Sequence, residues 1–139
     1  MNLTPHFTLT EFTVTSKPID NTPSQEMVAT LRTTAYYLEQ VRELLGKAIT
    51  INSGYRSKAV NRAVGGSPTS AHVLGYAVDF VAKDLTPLEI CQTIAKSNLK
   101  FDQLIYEGTW VHISFDPKMR REILSAKFKD GKATYLKGL

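Results

Sequence analysis

The stretch Ser70-Ala71-His72-Val73-Leu74-Gly75-Tyr76-Ala77-Val78-Asp79 changes character halfway along. Up to Gly75 it reads as a loop continuing from Ser67-Pro68-Thr69, and from Tyr76 to Val81 it reads as a strand. Gly75 relaxes the backbone where one becomes the other. Alternation along the strand puts Val78 and Phe80 on one face and Ala77 and Asp79 on the other. An aspartate on the inner face of an apolar strand costs on the order of several kcal/mol unless it is paired or metal-bound. An arginine partner satisfies it as well as a metal does.

A second stretch answers the first. In Trp110-Val111-His112-Ile113-Ser114, the residues Trp110, His112 and Ser114 share a polar face, while Val111, Ile113 and Phe115 point to the core. Two of the chain's three histidines lie in these two stretches. Taken singly, each histidine reads as a satisfied polar residue, as His6 in the N-terminal arm does. As a set, His72, Asp79 and His112 match the donor set that holds a catalytic Zn²⁺ with its fourth position open to water. A metal held this way points to a hydrolase rather than a binding module.

Outward from these stretches, the clearest helix opens at Thr22-Pro23-Ser24-Gln25. There Thr22 is the expected N-cap, with proline at the first helical position and glutamine three residues after the cap. Val28, Leu31, Ala35, Leu38, Val41 and Leu45 recur at intervals of three and four, with Met27 and Tyr36-Tyr37 widening the apolar face. Gly46 is placed to stop it. Ala48 to Asn52 reads as a strand and Ser57 to Val64 as a short helix ended by Gly65-Gly66. Thr86-Pro87-Leu88-Glu89 is a capping box opening a helix to about Ser97. Lys100 to Tyr106 and Trp110 to Phe115 form a hairpin, and two further strands flank the Asp130-Gly131 turn. The first twenty residues, with Pro5 and Pro18, read as an irregular ordered arm. Helices early and strands late predict a single α+β domain over residues 1–139, an antiparallel sheet with flanking helices.

Composition narrows the partners. The chain has 139 residues, 42% hydrophobic and 22% charged, the profile of an ordinary globular domain. No apolar run is long enough to span a bilayer, so membrane insertion is not expected. Met1-Asn2-Leu3-Thr4 has neither a basic nor an apolar signal region, which predicts synthesis in the cytoplasm and release by another agent if the substrate lies outside. The single cysteine, Cys91, sits among Leu88, Ile90 and Ile94 and reads as a small core residue rather than a reactive thiol. The net charge of +4 concentrates at the end of the chain, where Pro117–Leu139 carries seven lysines and arginines against two carboxylates. Such a patch can attract an anionic polymer. The plainer reading is an edge strand guarded by lysines.

The motifs also resemble a known family. Ser53-Gly54-Tyr55-Arg56-Ser57, then Asn61, then Ser70-x-His72-x-x-Gly75-x-Ala77-x-Asp79, then Trp110-x-His112, is similar to the M15 zinc D-Ala-D-Ala carboxypeptidases and murein endopeptidases, most of all their compact, phage-associated branch. The resemblance runs from about Leu3 to Leu139. It implies a hedgehog-like α+β fold, a Zn²⁺ cofactor on His72, Asp79 and His112, and Arg56 as a carbonyl-polarising, oxyanion-stabilising group. It also implies a peptidoglycan stem peptide as substrate, with Arg56, Ser70 and Trp110 in contact with it.

The general base departs from the family pattern. Many relatives place a carboxylate three residues before the last ligand, where this chain has Thr109. Glu107, five residues before His112, is the nearest carboxylate. If Gly108-Thr109 is a two-residue turn, Glu107 pairs with Trp110 and Ile105 with His112. Glu107 and His112 then lie diagonally on one face, roughly 7–8 Å apart at the backbone. The expectation is a monomeric zinc peptidase acting on the cell wall, its basic tail touching anionic wall polymers. The alternative is a non-catalytic, zinc-containing wall-binding or phage-assembly domain. Nucleic-acid binding has no recognition motif behind it.

Overall fold

The computed structural model describes all of Met1–Leu139. Its chain order begins with a small hairpin, β1 (Asn2–Thr4) and β2 (Phe7–Thr8), then a one-turn helix α1 (Leu9–Phe12) and the long helix α2 (Gln25–Leu45). There follow β3 (Ile49–Ser53), α3 (Lys58–Ala63), β4 (Ala77–Ala82), α4 (Pro87–Ala95), β5 (Gln103–Tyr106), β6 (Val111–Ser114), β7 (Glu122–Lys129) and β8 (Lys132–Lys137). The α+β class is as expected. Six strands form one sheet in the order β3-β4-β6-β5-β7-β8.

The sheet is mixed rather than wholly antiparallel, because β7 runs parallel to β5. The cause is positional. β6 ends at Ser114, opposite the start of β5 at Gln103, and its other edge is already taken by β4. The chain therefore steps over the end of β5 and enters β7 at Glu122, beside Gln103, running the same way. The step is pinned by the buried Asp102 carboxylate, which accepts hydrogen bonds from the backbone N–H, Nε and Nη2 of Arg120 at 3.1, 2.8 and 2.9 Å.

One face of the sheet carries the core. Val78, Phe80, Leu104, Val111 and Ile113 are fully buried there with Leu31, Ala35, Leu38 and Val41 of α2 and Ile90, Cys91 and Ile94 of α4. Burial pushes the Cys91 thiol up to about 12, helped by the charge of Glu107, so it is a core residue and not a nucleophile. No helix is long and apolar enough to cross a membrane.

Three local expectations change. The cap of α2 is Ser24, whose side chain accepts from the N–H of Met27. Thr22 is already engaged, donating through N–H and hydroxyl to the Asp20 carboxylate in a local turn. Of the paired tyrosines only Tyr37 turns inward, stacking on Phe115 at 5.2 Å, while Tyr36 stays exposed. The N-terminal arm is built rather than irregular. Thr8 and Glu11 form a capping box on α1, and Leu3, Phe7 and Phe12 are part of the core. The signal Thr8-x-x-Glu11 was present in the sequence.

Candidate active site

The site lies on the other face of the sheet. Register places Asp79, His112, Ile105, Leu124 and Lys137 side by side in one row across β4, β6, β5, β7 and β8. Asp79 and His112 are thus neighbours because their strands pair. His72 arrives from above, on the loop between α3 and β4. That loop turns sharply, with the N–H of Arg56 and of Gly75 both donating to the His72 carbonyl at 3.2 Å.

Gly75 is required at its position. Its φ is +79°, and a Cβ there would stand 2.5 Å from Met27 Sδ and 3.3 Å from Thr30 Cγ2 of α2. Its carbonyl accepts the hydroxyl of the buried Thr34 at 2.6 Å. Gly75→Ala is expected to lower stability by at least about 1 kcal/mol, since an L-residue is strained at positive φ. It should also loosen the loop that carries His72. A urea melt reads the first effect, and an unchanged midpoint would show that the loop yields freely.

The three donors converge. His72 Nε2 stands 3.2 Å from Asp79 Oδ1, and His112 Nδ1 stands 2.9 Å from the same oxygen. All three donor atoms lie within 4.8 Å of one another, a group able to hold a metal ion. Donors set tetrahedrally around one zinc at ~2.0–2.1 Å stand roughly 3.3 Å apart, so the spacing fits.

The protonation pattern makes the fit specific. His72 Nδ1 is 2.7 Å from the carbonyl oxygen of Gly54, which only accepts, so Nδ1 carries a proton. Burial is the largest influence on His72 and pushes it below the ordinary histidine value, more than Asp79 restores, so the ring is neutral. Its Nε2 lone pair therefore faces the carboxylate. Burial alone would raise Asp79, but its imidazole neighbours, His112 first, outweigh it and hold the group well below the usual carboxylate range. Two acceptors facing each other at 3.2 Å call for a cation between them. The backbone carbonyl that sets the His72 tautomer is the usual outer support of a metal-binding imidazole.

Gly54 was not assigned this part from the sequence. A Cβ there would stand 2.5 Å from the Phe12 carbonyl oxygen, so only glycine lets α1 and β3 approach and aim the Gly54 carbonyl at His72.

Arg56 closes one side. Its Nε donates to Ser53 Oγ at 3.1 Å, its Nη1 to Asn61 Oδ1 at 3.3 Å, and its Nη2 lies 3.5 Å from Asp79 Oδ2. Asn61 in turn donates to the Ser67 carbonyl at 2.8 Å, tying the guanidinium to the loop before His72. Ser70 lines the same cavity, with its Oγ accepting from the N–H of His72 at 3.2 Å.

Glu107 faces the metal group from the hairpin. Ile105 pairs with His112 as the two-residue turn predicts, the N–H of Glu107 donates to the Trp110 carbonyl at 3.2 Å, and Gly108 sits at φ +83°. Glu107 is half-buried rather than a solvated turn residue. Burial first, then the charge of Asp79, raises its carboxyl above the ordinary glutamate value, with His112, Trp110 and Arg56 pulling the other way. The Trp110 indole N–H beside it is buried and makes no hydrogen bond of good geometry. Arg56, Ser70, His72, Asp79, Glu107 and His112 all line one open cavity of about 420 Å³. Leu124 and Tyr135 line it too, from the tail hairpin that the sequence placed at a sheet edge and not at the site.

An α+β sheet with a two-histidine, one-carboxylate group facing a half-buried glutamate and a fixed arginine is the layout of a hydrolytic metal enzyme. A family model described as Peptidase M15 matches residues 5–114, well over half of the chain, from the N-terminal hairpin through β6. The chain belongs to the peptidase M15 family, and so to a family of peptide-bond hydrolases. None of the curated proteins compared with the chain matches it.

Proposed function

We propose that the chain is a zinc-dependent peptidase that cleaves peptidoglycan stem peptides, an endolysin-like endopeptidase or D,D-carboxypeptidase of the compact, phage-associated kind. The observation that carries this reading is the pair of facing acceptors, His72 Nε2 and Asp79 Oδ1, inside a cavity shared with Glu107 and Arg56. Zinc suits two imidazoles and one carboxylate with an open position. When bound it polarises the scissile carbonyl and lowers the pKa of the attacking water. Glu107, a half-buried carboxylate lining the same cavity, takes the proton from the attacking water and passes it to the leaving amine. Arg56 stabilises the negative charge that develops on the carbonyl oxygen. Ser70 offers a polar contact to the substrate backbone, and the Trp110 ring offers an apolar one.

Lys127, Lys129 and Lys132 stand on the face of the β7–β8 hairpin opposite the cleft, by the alternation of their register. They can meet an anionic wall polymer without competing for the site. The test is digestion of purified peptidoglycan by the metal-loaded protein, with mass analysis of the products. Fragments cut at a stem-peptide bond, each cut adding one water and abolished by chelation, support the reading, and an undigested wall overturns it.

Arg56→Lys separates chemistry from architecture. Lysine keeps the charge but loses the planar fork that Ser53 and Asn61 hold. Turnover should fall by ~10²–10³, the usual effect of losing an oxyanion contact. Metal content should stay near that of the parent, because the three donors are untouched. A variant with full turnover would make Arg56 merely a structural partner of Asp79.

A further inference from the structure

The family match ends at Ser114, yet the sheet continues for two more strands on the cleft side. Register assigns each residue of these strands to a face. Leu124, Ala126 and Phe128 of β7 and Ala133, Tyr135 and Lys137 of β8 share the face of Asp79 and His112. The next step along the β5–β7 register sets Glu107 beside Ala126, and Ala126 pairs with Tyr135. An alanine thus stands between the glutamate and the tyrosine, and the ring can lean across it toward the site.

The same small-against-large pattern repeats one pair further, where Phe128 faces Ala133. The Phe128 ring lies 6.3 Å from the ring of Trp110, beyond the end of β5. Tyr135 lines the cavity with the metal group, and burial together with the charges of Glu107 and Asp79 raises its phenol, which places the hydroxyl within their field. Tyr135 and Phe128 nevertheless remain 52% and 55% exposed, so no part of the chain covers this shelf. The cleft has two unlike walls. Arg56 and Ser70 make a polar one, and Ile105, Leu124, Trp110 and Tyr135 make an apolar one.

We infer that the β7–β8 hairpin is the second wall of the substrate cleft and that Tyr135 contacts the bound peptide beside the scissile bond. The ring packs on a short aliphatic side chain of the peptide, and the hydroxyl hydrogen-bonds its backbone on the side away from Arg56. This rests on the peptidase reading above and names the part of the chain that selects the peptide. The competing explanation for two aromatics in an edge hairpin is strand propensity alone. Leu136 tests that explanation, since it is 45% exposed but belongs to the opposite face.

The experiment measures binding of a synthetic stem pentapeptide ending in D-Ala-D-Ala, by calorimetry, to metal-loaded Glu107→Gln protein so that the peptide survives. Adding Tyr135→Ala should weaken binding about tenfold or more through loss of the packed ring. Adding Tyr135→Phe, which keeps the ring and guards against a folding defect, should weaken it by about three- to tenfold. Leu136→Ala should change it less than about twofold, as a surface substitution away from the site does. Binding by Tyr135→Ala within twofold of its background overturns the inference, and so does an equal loss with Leu136→Ala. The two readings fail separately. A parent that cleaves peptidoglycan while its Tyr135→Ala variant binds and cleaves as well as it does leaves the peptidase standing and removes the hairpin wall. A parent that cleaves nothing but binds the peptide in a Tyr135-dependent way does the reverse. A parent that neither binds nor cleaves overturns both.

Discussion

His72→Ala and His112→Ala should each abolish metal binding. The parent, purified without chelator, should carry about one zinc per chain, the count for a single mononuclear site. Each variant should carry almost none. Two donors remain in either case, but the buried Asp79 carboxylate then loses a co-ligand that stands 2.9–3.2 Å from it.

Thermal unfolding gives a second readout. A ligand that binds only the folded state at 100 to 1,000 times its Kd adds about 2.7–4.1 kcal/mol. For a domain of this size that is about 8–16 °C of Tm. Chelator should lower the parent's Tm by that order and leave both variants unmoved. The metal-free protein should also be acid-sensitive. His72 is depressed in the fold below its ordinary 6.5, so as pH falls through 6.5 the unfolded chain takes up a proton that the folded chain resists, and stability declines. Asp79, also depressed, adds a further loss as pH falls below its ordinary 3.8. Normal zinc in both variants would remove His72 and His112 from the site.

What the sequence revealed of this molecule divides along a physical line. Periodic patterning was legible, because Leu31, Ala35, Leu38 and Val41 repeat at helical spacing, and the alternation of Val78/Phe80 with Ala77/Asp79 assigns the two faces of β4, both of them buried. Turns whose geometry depends on a few local residues were legible as well. Gly108-Thr109 and Asp130-Gly131 closed their hairpins as read, and the first of them brought Glu107 to the face of His112. Contacts made by backbone atoms across long separations were not legible. Nothing in the letters Ser53-Gly54-Tyr55 states that the Gly54 carbonyl meets His72 Nδ1 18 residues away. Nor does Thr34, a mid-helix threonine, announce a bond to the Gly75 carbonyl. The tail shows a third case. Its lysines drew attention to charge, while Leu124, Ala126 and Phe128 alternate with Ser125, Lys127 and Lys129 and so mark a face. That the face belongs to the metal group followed only once β7 was seen to run parallel to β5, a pairing that no local signal encodes.

Glu107→Gln should cut turnover by ~10²–10⁴, the usual worth of a positioned acid–base group. The glutamine keeps the shape and the half-buried position but cannot take a proton from water. Fold and metal content should match the parent, since His72, Asp79 and His112 lie on other strands and loops and make their bonds without Glu107. Stem-peptide affinity should also survive, so the loss should appear in kcat and hardly in KM. In the parent, the acidic limb of kcat/KM against pH reports the base in the free enzyme. Burial raises Glu107 while the charge of the bound metal would lower it, so that limb should fall in the acid range, with activity gained as pH rises through it. The variant should lose this limb. Thr109, at the offset where many relatives carry their carboxylate, has no group that titrates in this range, and Thr109→Val should leave the profile in place. If Glu107→Gln digests peptidoglycan as fast as the parent, deprotonation of the water by the metal alone suffices and the glutamate only shapes the cleft. If the fully metal-loaded parent cuts no stem-peptide bond, a half-buried carboxylate beside an intact donor group is not enough to make a peptidase, and the site serves to bind.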